Sequence, residues 1–417
     1  MNLLPTYFNQ VQLLFLFSAG ITFILSLVFF LNHKSKLTYF FLFMTAGLTF
    51  SFAASLDPFL NLWDERFHAL VAKNLSFHPL KPTLYNDPIV DWDYTGWWRS
   101  AIWVHKQPIF LWQMALSYKL FGPSEFAIRL PSVILGMILV IITFRSGTLL
   151  VNRTVGFIAA VLLITSFYLN ELIAGRQTLD HNDLAFVSYV SLSIWSLIEY
   201  QISGKKKWII FIGLFAGLAI LNKWLVGLLV YLGWLILNTQ QKKFKLIEYK
   251  DFFISLLITV FVALPWQIYI FLKYPQEAAL AYEFNAKHFL QVLEGHEGNF
   301  WYHLNSLDLL YGHLASILLL PGFIVLYFRI NDKKLFYSLA GMTVIIYLFF
   351  SIAKTKMPSF PLAVVMAIYI AIAALIEYMI SCLNKIHFPK WVVIQEELRF
   401  AKISSLNELK IIGHQTL

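Results

Sequence analysis

The sequence predicts an all-α membrane protein whose chain crosses the bilayer many times. Of its 417 residues, 59% are hydrophobic and only 13% are charged, which is too little charge for the surface of a soluble protein. Mean hydropathy is +0.67, and long apolar runs recur along the chain. Because unpaired backbone groups cannot cross lipid, these runs should be helices.

Eleven runs are long and apolar enough to be interpreted as spans, for which about 20 apolar residues are needed. The ends of 154–170, 184–202, 208–222 and 224–238 are the least sharply defined. The predicted spans are 11–31, 37–56, 130–151, 154–170, 184–202, 208–222, 224–238, 251–272, 308–328, 335–352 and 359–381.

The distribution of Lys and Arg predicts the orientation of the chain. One set of short connections holds sixteen Lys and Arg, and the opposite set holds six. Positive residues favour the cytoplasmic side, so we expect the long segments 57–129 and 273–307 to lie outside a cell inner membrane. We expect residues 1–381 to form a transmembrane catalytic domain and residues 382–417 a short cytoplasmic tail. The net charge of +9 is then a topology signal and does not predict a nucleic-acid partner.

Asp64 and Glu65 come directly after the predicted span 37–56. In a helix, Asp64 and His68 would share one face at i,i+4 spacing. A desolvated carboxylate at this place could act as a general base or bind a cation. The alternative is an interfacial anchor that only ends a span.

Several cations of the outer segments suit an anionic ligand, although each also has a plainer explanation. Lys106 lies between His105 and Pro108, which would start a helix and so place positive charge at a helix N-terminus. The alternative is an interfacial turn. Arg129 opens a span, where it could bind a lipid phosphate or only snorkel to the interface. The single cysteine, Cys382, excludes a disulfide framework and a cysteine metal cluster.

Two acids precede or open the predicted span 184–202. Asp180 and Asp183 are spaced i,i+3. Ionisable groups at such depth are functional by default. For Asp183 the alternative is an N-terminal helix cap.

The order of these motifs resembles that of the GT-C glycosyltransferases of the bacterial protein-mannosyltransferase and aminoarabinose-transferase type. The resemblance covers about residues 40–375. It rests on Asp64-Glu65, on His105-Lys106-Gln107-Pro108, on the run from Leu120 to Ser132, on Gly175-Arg176-Gln177-Thr178-Leu179-Asp180, on Asn222-Lys223-Trp224, on Glu294-Gly295-His296-Glu297-Gly298 with Phe300-Trp301-Tyr302, and on Lys354-Thr355-Lys356-Met357-Pro358.

The resemblance implies a GT-C fold and an inverting glycosyltransferase that uses a sugar on polyprenyl phosphate, such as undecaprenyl phosphate. The acceptor would be an envelope molecule, in falling order of preference lipid A, another glycolipid or glycan, or a protein hydroxyl. The implied catalytic residues are Asp64, Glu65 and Asp180. Donor phosphate would be bound by Lys106, Arg129, Arg176, Lys223, Lys354 and Lys356. Substrate would be contacted by His105, Trp97, Trp98, His288, His296, Trp301 and Tyr302.

The sequence departs from the family pattern at several of these positions. Gln107 precedes a single proline where relatives often have two prolines, and His288-Phe289 stands where relatives often have Arg-Phe. The span 11–31 is extra, and the C-terminal outer domain of many relatives is not found after the last span.

No cofactor follows with certainty, although Glu65, His105 and His296 could supply ligands to a divalent metal ion. We expect the partners to be the lipid-linked donor, a lipid or glycan acceptor and membrane lipid, and the protein to be a monomer. The alternative function is a transporter or flippase of lipid-linked glycans, which should carry mid-span charges and inverted repeats.

Overall fold

A computed structural model describes residues 7–87, 89–93, 96–176, 181–239 and 249–387, and these residues are predominantly helical. Within them, the pairing of Thr83 with Ile102 is an isolated β-bridge. The helices are α1 Gln10–Leu31, α2 Ser35–Ala54, α3 Asp64–Phe77, α4 Ile109–Phe121, α5 Glu125–Leu150, α6 Arg153–Ile164, α7 Phe167–Ile173, α8 His181–Ser203, α9 Lys207–Lys223, α10 Leu229–Thr239, α11 Lys250–Lys273, α12 Pro275–Leu290, α13 Tyr302–Asn305, α14 Leu307–Tyr311, α15 His313–Arg329, α16 Lys333–Ile352 and α17 Val365–His387.

The predicted number of eleven spans is not confirmed. Among the described residues, seven helical stretches are long and apolar enough to cross a membrane, or eight if α6 and α7, which meet at 54°, form one broken span. The predicted spans 208–222 and 224–238 are one stretch, Lys207–Thr239, interrupted by a 3₁₀ turn at Trp224–Leu228. The predicted span 308–328 begins later than expected, as the 17-residue helix α15.

Helix α8 occupies the predicted span 184–202 but is too polar to count as a span by composition. It is buried along nearly its whole length, and its serines at 188, 191, 193 and 196 are fully buried. Small residues let neighbouring helices approach closely, which is how helices pack inside lipid. The polarity of α8 therefore marks a central helix surrounded by protein.

Two neighbouring helices pack directly against α8, and one of these makes a close glycine contact with a third helix. Helices α5 and α9 pack against α8, and α9 also packs against α11. A Cβ atom at Gly213 of α9 would lie 2.5 Å from the Ser255 carbonyl oxygen, so only glycine permits this approach. At the other side of the bundle α17 packs against α15 and α6, while α1 packs mainly against α2.

The two ends of the bundle differ in chemistry. The end reached by the basic connections holds structural ion pairs, Arg145 with Glu199 at 2.6 Å and Arg329 with Glu377 at 2.5 Å. The opposite end holds segments 57–129 and 273–307 together with the turn after α16. The predicted functional motifs within the described residues therefore share one end of the molecule.

Candidate active site

Helix α3 begins with the two acids, Asp64 and Glu65, at a sharp turn of the chain. Trp63, the residue before the helix, has φ of +76°. Both carboxylates lie in the first helical turn, where the helix dipole favours negative charge. The side chains diverge from there, and they have different surroundings.

Glu65 lies at the centre of a buried polar network. Its Oε1 accepts from Arg129 Nε at 2.7 Å and lies 3.2 Å from His181 Nε2. Its Oε2 accepts from Arg129 NH2 at 3.1 Å and from the Asn61 backbone N–H at 2.7 Å. Burial raises the pKa of Glu65, but the hydrogen bonds and charges of His181 and Arg129 outweigh burial and lower that pKa to about 2. Glu65 is therefore a fixed anion.

Arg129 joins this network to the segment that leads into α3. Its NH1 donates to the carbonyl oxygens of Ala54 at 2.9 Å and Asp57 at 2.7 Å, and its NH2 donates to that of Phe59 at 2.9 Å. With the two bonds to Glu65, all five N–H groups have acceptors, and the side chain is fully buried. No N–H group of Arg129 remains for the donor phosphate it was predicted to bind. Arg129 instead fixes the position of the acids.

Gly175, the first residue of the motif that runs to Asp180, packs against Glu65 directly after α7. A Cβ atom there would lie 2.3 Å from Glu65 Oε1, and the φ of Gly175 is +72°. Two independent constraints therefore require glycine at this position. Asp180, the predicted catalytic acid of the same motif, lies outside the described residues. The next residue, His181, contacts both Glu65 and Ser132, whose Oγ is 2.7 Å from His181 Nδ1.

Asp64 lies within electrostatic range of Lys223, one of the predicted cations. It is 8% exposed, and its charge acts on Lys223, as does that of Lys106. The ammonium group of Lys223 forms an ion pair with Asp183 and lies 4.7 Å from the centre of the Phe360 ring. Lys223, from a segment far away in sequence, is therefore paired with Asp183 and lies within electrostatic range of Asp64 and Lys106.

The histidines and tryptophans of the first outer segment pack against the second. His105 is stacked on Trp97, with ring centres 4.8 Å apart, and meets the edge of Phe284 from α12. Trp97 Nε1 donates to Glu294 Oε1 at 2.7 Å. Burial and the charge of Lys106 lower the pKa of His105 well below its usual range, so its imidazole is neutral. Burial likewise lowers the pKa of His288, and the positive charge of Lys106 lowers it further.

The late Lys-Thr-Lys segment is paired with the second outer segment through its backbone. The N–H groups of Lys354 and Lys356 donate to the carbonyl oxygens of Phe289 and His296. Lys356 Nζ donates to the carbonyl oxygens of Phe350 and Ser351 at 2.9 and 2.6 Å, where it caps the C-terminal end of α16. Lys356 is buried in this structural role, whereas Lys354 is exposed.

The remaining predicted residues lie at the rim. Arg176 is half exposed and faces Glu171 at 3.5 Å, and Trp98 and Trp301 are 37% and 57% exposed. A Cβ atom at Gly298 would meet the Tyr302 ring and the Lys356 side chain, so this turn packs closely on both. The Trp98 ring lies 6.2 Å from that of Trp63, the residue before Asp64.

The suggested metal ligands Glu65, His105 and His296 do not form a site. Among the described residues there is no group of three or more His, Cys, Asp or Glu side chains that could hold an ion. The Glu65 oxygens already accept hydrogen bonds from Arg129 and Asn61. The described part of the chain therefore offers no assembled ligand set for a divalent metal ion.

Two site residues were not predicted from the sequence. His181 lies next to the predicted Asp180, which was the one signal that could have identified it. His303 is fully buried, with its ring beside Phe350 and Phe360, and burial together with the charge of Lys356 lowers its pKa to about 4. It follows Trp301-Tyr302, but no spacing pattern distinguished it from an interfacial histidine.

Comparison with known proteins agrees with this fold. Residues 105–269 match the family described as dolichyl-phosphate-mannose-protein mannosyltransferase. An undecaprenyl phosphate-alpha-4-amino-4-deoxy-L-arabinose arabinosyl transferase of Edwardsiella ictaluri is 28% identical over 276 residues, which are 62% of this chain and 48% of the relative. The chain thus spans about half the length of the curated relatives it matches.

Solved structures show the same fold at low sequence identity. The crystal structure of ArnT from Cupriavidus metallidurans bound to undecaprenyl phosphate matches 80% of this chain and 59% of its own, with a TM-score of 0.66 and 16% identity. The archaeal oligosaccharyltransferase AglB from Archaeoglobus fulgidus matches 88% of this chain and 54% of its own, with a TM-score of 0.57 and 12% identity.

The helix bundle, with its candidate site at one end, defines a multi-pass membrane protein with the GT-C glycosyltransferase fold. Within that class, the sequence and structure matches confirm the predicted resemblance to the aminoarabinose transferases and their mannosyltransferase relatives.

Proposed function

We propose that the protein is an inverting glycosyltransferase that moves a sugar from a polyprenyl phosphate to an envelope acceptor. The observation that supports this proposal is that Lys223 lies within electrostatic range of both Asp64 and Lys106, while Asp64 directly precedes Glu65 of the buried Glu65–Arg129 pair. A transporter would need charges along a path through the bundle. Here the proposed working groups lie at one end, so transfer is favoured over transport.

In the proposed reaction, Asp64 accepts the proton of the acceptor hydroxyl, and the oxygen attacks the anomeric carbon. The new carbon–oxygen bond forms as the sugar–phosphate bond breaks on the opposite face. The phosphate leaves with its bonding electron pair, and its negative charge is stabilised by Lys106 and Lys223. Fixed charges in a water-poor site stabilise such charge development more strongly than water does.

The donor is proposed to be an undecaprenyl phosphate sugar, because the matched relatives are named for it and one solved neighbour holds undecaprenyl phosphate. Lipid A is the preferred acceptor, and the distribution of basic residues supports an exterior, periplasm-facing site. The protein is proposed to act as a monomer. Arg176 and Lys354 are exposed at the rim. They would contact the phosphate of the donor or the acceptor only while that substrate approaches the site.

Lys106→Ala tests the donor half of this proposal. In membranes supplied with undecaprenyl phosphate-linked aminoarabinose, the variant should lose at least tenfold in kcat/KM for the donor at equal protein level. A hydrogen bond to a charged group contributes about 1.5–3 kcal/mol, and tenfold corresponds to 1.4 kcal/mol. Lys119→Ala, which removes an exposed lysine of the last turn of α4, is the matched control and should retain activity. Equal losses in the two variants would contradict the proposal.

A further inference from the structure

A polar cleft lies next to the candidate active site, between the first outer segment and one face of α12. Its volume is about 230 Å³, large enough for a single sugar ring. The first wall is formed by residues between Trp97 and His105. The second wall is the α12 face that carries Glu277, Ala281 and Phe284.

Two buried polar atoms of the lining residues have no hydrogen-bond partner among the described residues. They are Nδ1 of His105 and Nε1 of Trp103, in side chains that are 7% and 1% exposed. A buried polar group without a partner costs about 1–3 kcal/mol, so a small shift of the lining that let a ligand complete these hydrogen bonds would be favoured. The indole N–H can only donate, so the ligand must offer an acceptor atom.

The chemistry of the lining suits a ring of hydroxyl groups. A hydroxyl both donates and accepts, so it can serve the Trp103 N–H, the neutral His105 and a carboxylate at once. Glu277 and Glu283 supply carboxylates, and Glu283 is paired with Lys287 at 2.7 Å. Apart from Ser100, the remaining lining is aromatic or aliphatic, which suits the apolar face of a sugar ring.

The position of the cleft decides which sugar it would hold. The anomeric carbon of the donor must lie by the phosphate, near Lys106, Lys223 and Asp64. These three residues are absent from the described lining of the cleft, although His105 is adjacent to Lys106 in the chain. A sugar in the cleft is therefore beside the donor rather than part of its reacting end.

We infer that this cleft is a subsite for a sugar ring of the acceptor, with His105, Trp103 and Glu277 as its polar contacts. The inference rests on the proposed transfer reaction and adds the class of acceptor, which is a saccharide-bearing molecule. It also assigns specificity to α12, a helix outside the predicted motifs except at its His288.

The test is a kinetic comparison of the whole protein in nanodiscs, with undecaprenyl phosphate-linked aminoarabinose as donor and hexa-acyl lipid A as acceptor. Ala281→Trp, which fills the cleft, should raise the KM for lipid A at least tenfold. The KM for the donor, and donor hydrolysis without acceptor, should remain at wild-type levels. Ala286→Trp places the same side chain on an exposed position of α12 away from the cleft and should change neither.

A second variant guards against misfolding of the first. Glu277→Gln keeps the shape of the side chain and should raise the KM for lipid A about tenfold, with kcat retained. Transfer by the wild type, with an unchanged lipid A KM in both cleft variants, would overturn the inference while leaving the proposed function intact. Loss of lipid A affinity on chelation would also overturn it, because the cleft would then hold a cation. Failure of the wild type to use the donor at all would reject the proposed function itself.

Discussion

The buried pair of Arg129 and Glu65 allows a sharp test of how the acids are held in place. Arg129→Met removes five hydrogen bonds and leaves Glu65 as a buried carboxylate without its cation. Breaking one side of a buried ion pair costs about 3–5 kcal/mol, much of it from the charge left behind. Glu65→Leu should cost a similar amount, because it leaves the guanidinium unpaired.

The double variant separates the pair from its members. If each single loss comes mainly from an orphaned charge, Arg129→Met with Glu65→Leu should cost at least about 2 kcal/mol less than the sum of the single variants. The assay is reversible unfolding of the purified protein in mixed micelles. Arg176→Met is the matched control, since its 3.5 Å pair with Glu171 is half exposed and should contribute less than about 1 kcal/mol. Strict additivity, or equal losses for Arg129→Met and Arg176→Met, would refute the assignment.

Two further predictions concern pH and orientation. The pKa of the Glu65 carboxyl falls from 4.5 to about 2 on folding, so its ionisation contributes about 3 kcal/mol of stability above pH 4.5, and this is lost as the pH drops towards 2. The stability difference between wild type and Glu65→Gln should therefore shrink between pH 5 and pH 3 in micelle unfolding experiments. A difference that stays constant over this range would contradict the network. Orientation can be tested in a Cys382→Ser background, where Glu297→Cys should react with a membrane-impermeant maleimide on intact cells and Lys205→Cys should not. Both positions are exposed, but they lie at opposite ends of the bundle. The reverse labelling would place the site in the cytosol.

The sequence was informative about the site because its charges are rare. In a chain this apolar, Asp64, Lys106 and Lys223 were conspicuous, and the positive-inside rule placed them on one side. In the structure Lys223 lies within electrostatic range of Asp64 and Lys106, and their shared role in the site stays a prediction. The structural role of Arg129 could not be predicted from the sequence, because its ion-pair partner Glu65 lies 64 positions earlier in the chain. Pattern alone could not distinguish a snorkelling arginine from a fully buried one.

The number of spans was harder to predict for a related reason. Hydropathy measures contact with lipid, but α8 is surrounded by protein and tolerates serine along its length. Trp224, at φ of +60°, breaks Lys207–Thr239 where the sequence suggested two separate spans. The cleft was missed because it forms only when 97–105 packs on α12, which no local pattern encodes.

The most direct test of the catalytic assignment is single-turnover sugar transfer by Asp64→Asn, which keeps the size of the side chain but removes the base. Using donor-loaded membranes, we predict a loss of at least about 100-fold in the transfer rate, in line with general-base catalysis. Donor binding and protein level should match those of Glu125→Gln, an acid-to-amide change at the start of α5. Transfer by Asp64→Asn at a rate near that of the wild type would contradict the assignment.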